Sequence, residues 1–330
     1  MSIQIGIVGC GHLGSLHAKM LSTIESVRFV GVYDLDHQKS ESVAREHGVE
    51  AFETLDQLFS EIEAVVIAST TKSHYEIARE ALERNLHVFI EKPMTETPEQ
   101  AKALVDLAEK RKLVLQVGHI ERFNPAIVAL DHVRLEPLFI ESHRLAQFNP
   151  RGADVAVVLD LMIHDIDLIL SLVHSPVTRI DANGVAVVSD SLDIANARLQ
   201  FENGCVANVT ASRISQNKMR KMRLFQKNAY ISIDFSQGLA EVFRLVDEGD
   251  AGVKPTMMLG KIEQGTRKRV IVYEQPEVKE INALKYELEL FAKAIQTHSD
   301  PPVTGHDGLQ ALEVAEAILK IIDRQTVRTV

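Results

Sequence analysis

Ile3-Gln4-Ile5-Gly6-Ile7-Val8-Gly9-Cys10-Gly11-His12-Leu13-Gly14 is the stretch that decides the fold of this chain. Ile3, Ile5, Ile7 and Val8 form a short β-branched run that suits a buried strand. The run feeds directly into Gly9, Gly11 and Gly14 at G-x-G-x-x-G spacing. In a dinucleotide-binding turn the first glycine permits the strand-to-helix bend, the second lets backbone approach a pyrophosphate, and the third allows close helix–strand packing. The helix that follows, expected from about Gly11 to Thr23, would aim its free N–H groups and positive dipole end at that pyrophosphate. Glycine triplets also serve plain turns. Here the triplet follows a strand and opens a helix, the context a dinucleotide site requires.

Working outward, a second strand is expected over Arg28–Tyr33, ending in Asp34. That acid lies 20 positions beyond Gly14, where a carboxylate accepts from the adenosine ribose hydroxyl. A carboxylate there repels a 2′-phosphate, and Leu35, Asp36 and His37 bring no arginine, so the cofactor expected is NAD rather than NADP. The competing role for Asp34 is to cap a helix over His37–His47. Strand and helix then keep alternating. A buried strand at Ala64–Ala68 precedes Ser69–His74 and a helix to Asn85; Leu86–Ile90 precedes Glu91-Lys92-Pro93; a helix over Pro98–Lys112 leads to a further strand at Leu113–Val117. Repeated βα units predict a parallel, doubly wound Rossmann sheet with its ligand at the carboxyl ends of the strands. Residues 9–14, 69–74 and 91–93 all fall at those ends. The candidate cofactor contacts are Gly9, Gly11, His12, Leu13, Gly14, Asp34, Ser69, Thr70, His74, Glu91 and Lys92.

From about Leu138 the pattern changes and strands follow strands: 138–147, 178–188, 193–201, 204–212, 219–226, 229–235 and 239–246. Asn203-Gly204 is a hairpin signal between two of them. This predicts an α+β domain with a large, mostly antiparallel open sheet, interrupted by a helix over 154–173 and a terminal helix pair near 279–298 and 306–324. Such a sheet face suits self-association. Gly249–Gly265, rich in glycine and methionine, is expected as a loop. The expected division is residues 1–120 for NAD binding and 121–330 for substrate binding and oligomerisation, with helices 279–324 free to pack back on the first domain.

Within 154–173, Asp160, His164 and Asp167 are spaced i, i+4, i+7 and share one face of an α-helix. Their neighbours are strongly apolar, so this polar stripe must be paired or used. A core histidine held by an aspartate one turn away is the structural explanation; one helix face offers too few ligands for a metal. Bulk properties narrow the rest. A formal charge of −10 argues against nucleic acid. Cys10 and Cys205 are too few for a disulfide framework. No apolar run approaches the ~20 residues of a membrane span, and a strand at the very start leaves no room for a signal peptide. A small-molecule ligand and a cytoplasmic setting are expected.

The chain resembles the Gfo/Idh/MocA family of NAD(P)-dependent sugar and polyol oxidoreductases over essentially its whole length. The resemblance rests on the glycine loop, Glu91-Lys92-Pro93, Arg122-Phe123-x-Pro125, the D-x-x-x-H pair Asp160/His164, and Gly305-His306-Asp307-Gly308. Glu-Lys-Pro together with D-x-x-x-H is the specific part. One departure is Gly152-Ala153-Asp154-Val155-Ala156, where the family often carries a glycine-rich turn. The resemblance implies Lys92, Asp160 and His164 as the catalytic trio and Arg122 as a further cofactor contact. Its chemistry is removal of a hydroxyl proton while hydride leaves carbon, with either His164 or Lys92 as base. The implied substrate is a ring secondary alcohol of a sugar, foremost a nucleotide sugar such as UDP-N-acetylglucosamine. A free polyol of the inositol type is the alternative, and a non-catalytic NAD-binding regulatory protein the reading from another class. The basic run Arg213, Lys218, Arg220, Lys221 and Arg223 is either a diphosphate contact or a solvated strand face.

Overall fold

The computed structural model describes residues 2–149, 155–247, 257–264 and 267–326. Two compact units emerge, Met1–Ile120 with Asn282–Glu313, and Glu121–Ile281 with Val314–Val330.

The first unit is built on β1 (Ile3–Val8), β2 (Val27–Tyr33), β3 (Glu50–Ala51), β4 (Ala64–Ile67), β5 (His87–Glu91) and β6 (Leu115–Gly118). All pair in parallel, in the order β3-β2-β1-β4-β5-β6. That is the doubly wound order, with its crevice where the winding reverses between β1 and β4. The central strands are continuous apolar runs because helices cover both sheet faces; all four residues of β4 are buried. The helices are α1 (His12–Leu21), α2 (His37–His47), α3 (Leu55–Ser60), α4 (Thr71–Glu83) and α5 (Pro98–Arg111). α3 went unread in the sequence although its capping box, Thr54 with Gln57, is local. One apolar cluster joins Ile5, Val66 and Phe89 of the sheet to Ala18 and Leu21 of α1. The same cluster takes in Leu288 and Phe291 from a helix nearly 200 residues further on.

The second unit opens with a 3₁₀ turn at Ile120–Phe123 and a short α6 (Pro125–Val128). β7 (Phe139–Leu145) follows, then a π-helical turn at Val158–Met162 that runs into α7 (Ile163–Val173). The remaining strands are β8 (Val177–Val185), β9 (Ile194–Phe201), β10 (Val206–Ser212), β11 (Met219–Gln226), β12 (Ala229–Asp234), β13 (Leu239–Asp247), β14 (Met257–Gln264) and β15 (Arg267–Glu274). Their order is β14-β15-β13-β12-β11-β7-β10-β9-β8, antiparallel except for β7 beside β10. The β9–β10 turn carries Gly204 at φ 86°, the left-handed conformation that the Asn-Gly pair supplies. α8 (Ala283–Thr297) and α9 (Gly305–Thr326) close the chain.

The loop expected over Gly249–Gly265 needs correction, since Met257–Gln264 is β14, paired to β15. The strand hid because Met257, Met258 and Leu259 are all exposed, so no in–out alternation marks it. It is an edge strand, held by its backbone ladder on one side. Residues 249–256, Asp154 at the start of the expected helix and the departing Gly152–Asp154 lie outside the described residues.

Candidate active site

At the carboxyl end of β1 the three glycines do different work. Gly9 adopts φ 98° and a Cβ there would stand 2.5 Å from the Ser69 amide nitrogen, so only glycine passes this close to the loop after β4. A Cβ on Gly14 would overlap the Gly9 carbonyl oxygen. Gly11 is different: it is extended (φ −71°, ψ −165°), and a Cβ would meet nothing within 4 Å among the described residues. Neither conformation nor protein packing requires glycine there. The open space in front of it is the clearance a pyrophosphate needs. α1 begins at that point with no side-chain cap and no acidic residue in its first turn, leaving its positive end facing outward. His12 and Leu13 are exposed in that same turn.

Asp34 ties this loop to β2. Its Oδ2 accepts from the Cys10 amide at 2.6 Å and its Oδ1 from Asp36 N at 2.8 Å. The capping role weighed for Asp34 belongs instead to Asp36, whose Oδ1 accepts from Gln38 N at 3.2 Å. A carboxylate offers about four lone-pair sites, so Asp34 keeps acceptor capacity for a ribose hydroxyl. Burial pushes the Cys10 thiol up to about 12, with the Asp34 charge adding to it, so Cys10 is no nucleophile near neutral pH.

After β4, Thr70 precedes α4 without a side-chain cap, and Ser69 Oγ lies 2.8 Å from Ser73 Oγ. His74 is 1% exposed and joins two of the expected cofactor loops: Nδ1 lies 3.0 Å from the Pro93 carbonyl and Nε2 3.1 Å from the Ser69 carbonyl. Burial lowers its pKa, with the two carbonyls pulling the other way. His74 therefore positions loops. After β5, the Glu91 side chain is buried. It is 7% exposed and its Oε1 lies 2.7 Å from Nε2 of the fully buried His17. Lys92 is half-buried, donates its backbone N–H to Glu91 Oε2 at 3.3 Å, and is joined to Pro93 by a cis peptide.

In the second unit the stripe Asp160, His164, Asp167 divides. Asp160 lies in the π-helical turn and His164 at the start of α7, both half-buried; π-turns are a recurring feature of functional sites. Asp167 is fully buried and gripped by Arg122, Nε to Oδ2 at 2.8 Å and Nη2 to Oδ1 at 2.6 Å. Beside them, buried Arg144 binds Asp165 through Nε at 2.5 Å and Glu121 at 3.3 Å, and Ser142 Oγ donates to Asp165 at 2.7 Å.

The approach to the π-helical turn is pinned by Arg213, which donates to the Val155 carbonyl, and by Val157 N bonding Leu192 O at 2.9 Å. Most of the basic run is thereby accounted for: Arg220 pairs with Glu121, Lys221 with Asp234 at 3.2 Å, and Arg223 with Glu141 at 3.5 Å. It is a set of ion pairs within the unit, neither a bare diphosphate patch nor a wholly solvated face. Among the described residues no group of three or more His, Cys, Asp or Glu gathers as a metal ion would need, and no helix is long and apolar enough to cross a membrane.

A doubly wound sheet, a glycine loop with clearance at Gly11 and an acid at the end of β2 define a dinucleotide-dependent dehydrogenase scaffold. Residues 3–119 match the oxidoreductase family described as having an NAD-binding Rossmann fold, and residues 136–232 match the GFO/IDH/MocA C-terminal domain. The chain belongs to the GFO/IDH/MocA oxidoreductase family and is an NAD-dependent enzyme acting on CH–OH groups. It is similar to UDP-N-acetylglucosamine 3-dehydrogenase of Acidithiobacillus ferrooxidans, 36% identical over 95% of both chains. A solved structure of that enzyme, covering 98% of this chain and 99% of its own at 34% identity, superposes with a TM-score of 0.87. The scyllo-inositol 2-dehydrogenase (NAD(+)) of Bacillus subtilis is 28% identical over 64% of this chain and 68% of its own.

Proposed function

We propose that this enzyme oxidises the 3-hydroxyl of a UDP-linked N-acetylhexosamine, UDP-N-acetylglucosamine foremost, to the 3-keto sugar. The observation that carries this reading is the 36% identity to the UDP-N-acetylglucosamine enzyme across 95% of both chains. The inositol 2-dehydrogenase of Rubrobacter xylanophilus, at 34% identity, matches over only 56% of each chain.

NAD, when bound, supplies a hydride acceptor at its nicotinamide. Gly9, Gly11 and Gly14, with His12 and Leu13 in the first turn of α1, hold its pyrophosphate, Asp34 its adenosine ribose, and Ser69 and Thr70 the following segment. Lys92, Asp160 and His164 are assigned the chemistry. A neutral histidine accepts the hydroxyl proton near pH 7. Lys92 donates to the reacting oxygen and stabilises its developing charge. Asp160 orients the imidazole or a neighbouring sugar hydroxyl. Arg122, committed to Asp167, acts on the cofactor by shaping the segment it sits in.

We place the protein in the cytoplasm, where free, buried Cys10 and Cys205 stay reduced. We assign homo-oligomer formation to the nine-stranded sheet. Phe139, Phe225, Tyr230, Phe243 and Tyr273 form a half-exposed aromatic row across five adjacent strands, with ring centroids 5.0 to 5.8 Å apart.

The test is NADH formation with UDP-N-acetylglucosamine, free N-acetylglucosamine and myo-inositol, each offered with NAD and with NADP. Turnover of the nucleotide sugar with NAD is expected. Turnover of inositol alone would replace the substrate assigned here. NAD binding without turnover of any sugar or polyol, unaffected by Lys92→Ala, would mark a regulatory protein.

A further inference from the structure

The carboxyl ends of β5 and β6 carry more buried charge than cofactor binding explains. Glu287 of α8 is 0% exposed, and among the described residues neither of its carboxyl oxygens meets a hydrogen-bond partner. It interrupts an apolar stripe of Leu288, Phe291, Ala292 and Ile295 that packs into the core of the first unit. Phe291 lies edge-on to Phe89 with centroids 5.8 Å apart, and Phe89 lies edge-on to His17 at 5.3 Å. Gln116 on β6, the register partner of Phe89, donates its side-chain amide to the Glu287 carbonyl at 3.1 Å. α8 thus delivers a carboxyl to the same corner of the unit that holds Glu91.

Glu91 is built to be charged. His17 meets one oxygen, the Lys92 amide donates to the other, and Gly118 leaves room, since a Cβ there would lie 3.0 Å from Oε2. Burial pushes its pKa upward, but the hydrogen bond and charge of His17 and the charge of Lys92 hold it below the usual range. Glu287 has no such support. Burial drives its pKa well above the carboxylate range, and the charge on Glu91 drives it further. Two carboxyls in one buried site do not both ionise. The facing groups are His17 on α1, Glu91 and Lys92 at the end of β5, neutral Gln116 on β6, and Glu287 itself.

We propose that Glu287 is a positioning residue for Lys92: it shares one buried site with Glu91, and the pair carries a single negative charge, placed on Glu91 next to the lysine. The proposal rests on Lys92 acting at the reacting oxygen. A second charge on Glu287 would strengthen the field holding Lys92 as ammonium and repel the carboxylate of Glu91. A neutral acid on α8 keeps that field fixed through the working pH range.

Three measurements test this, none of which uses a sugar, so a wrong substrate assignment leaves them untouched. The first compares melting temperatures of wild type and Glu287→Gln from about pH 5 to 9. Because the folded pKa of Glu287 is raised, the stability its proton supplies is complete below the unfolded value, about 4.3. It is lost as pH rises toward the folded value. The amide cannot ionise, so the variant should gain on wild type by a few degrees as pH rises; a gap constant with pH overturns the neutral acid. The second measurement needs no variant. In wild type labelled with ¹³C at glutamate carboxyls, one signal should stay protonated well above the ordinary carboxylate range, and titration of every glutamate near its ordinary value overturns the proposal. The third follows Lys92 after reductive ¹³C-methylation, its signal assigned with Lys92→Arg. Its signal should follow the same course in wild type and Glu287→Gln while Glu287 holds its proton, and the two should part only at higher pH, where Glu287 ionises and holds Lys92 as ammonium. A difference already at neutral pH would mean two charges and overturn the proposal, and identical curves throughout would leave Glu287 a structural residue only.

Discussion

Arg122 holds Asp167 by two parallel hydrogen bonds, 2.8 Å from Nε and 2.6 Å from Nη2, with the aspartate fully buried. The pair fixes the segment after β6 to α7, three residues beyond His164. Removing one partner of such a pair leaves an uncompensated buried charge, which costs roughly 3–5 kcal/mol. Arg122→Ala and Asp167→Ala should each lose about that much in urea unfolding. The paired change Arg122→Met with Asp167→Leu should recover most of it, since well-packed apolar replacements of buried ion pairs are often neutral. Single losses below about 1 kcal/mol would show that the grip does not hold α7.

That pair also shows where the sequence stops being legible. The glycine loop and the alternation through β1, β2, β4, β5 and β6 were readable because each is a local pattern; the two-residue β3 and α3 were too short to show one. The stripe Asp160, His164, Asp167 was read as one helical face, which assumed α-helical winding. The π-helical turn at Val158–Met162 and the partner of Asp167, 45 positions upstream, are properties of the folded chain. Glu287 left a faint signal, a charge on an otherwise apolar helical stripe. Its meaning depends on Glu91 and Gln116, more than 170 positions earlier, so periodicity within α8 gave no account of it. β14 failed for the opposite reason: its exposed methionines carry no period at all, and only backbone pairing reveals a strand.

Asp34 should govern the choice of cofactor. Its carboxylate accepts from Cys10 N at 2.6 Å and from Asp36 N at 2.8 Å, so it both shapes the loop and sets the charge where a 2′-phosphate would sit. Asp34→Asn keeps the size and removes the charge. A hydrogen bond to a charged group contributes about 1.5–3 kcal/mol, so NAD affinity should fall roughly 10- to 100-fold. The preference for NAD over NADP should narrow with it. Nucleotide titration monitored by tryptophan-free fluorescence of bound NADH, the chain having no tryptophan, measures both. An unchanged preference would remove Asp34 from cofactor selection.

Asp193 predicts the acid limit of the second unit. Its carboxylate is fully buried and accepts from Val187 N at 2.8 Å, Val188 N at 2.6 Å, Ser189 N at 3.0 Å and Ser189 Oγ at 2.7 Å. Burial pushes its pKa up, and these hydrogen bonds outweigh that and hold it well below the usual carboxylate range. A folded pKa below the unfolded value, about 3.9, gives stability that is present above that value and lost as pH falls beneath it. Asp193→Asn should therefore melt below wild type at neutral pH, and the gap should begin to narrow near pH 4 and go on narrowing as pH falls further. A gap that stays constant down to the lowest pH would assign the loss to packing. Arg213 N bonds the Asp193 carbonyl at 2.9 Å, and the Arg213 side chain pins Val155. Loosening this loop should then also lower kcat through the segment that leads to Asp160.

Gly11 and Gly14 separate binding from folding within one loop. A Cβ on Gly14 would overlap the Gly9 carbonyl oxygen, and because that obstacle is backbone rather than a flexible side chain nothing can swing aside. Gly14→Ala should cost about 1–3 kcal/mol by overpacking, visible as a lower melting temperature with or without nucleotide. A Cβ on Gly11 meets no atom of the described residues within 4 Å, and its extended backbone suits any residue. Gly11→Ala should change stability by no more than about 1 kcal/mol, the range of a helix-cap substitution. The added methyl would nevertheless stand in the clearance reserved for the pyrophosphate. NADH affinity should therefore drop more than about tenfold in Gly11→Ala, a loss of at least ~1.4 kcal/mol, while the apo protein melts as wild type does. If Gly11→Ala binds NADH normally, the pyrophosphate does not pass over Gly11, and the helix-dipole account of this site fails with it.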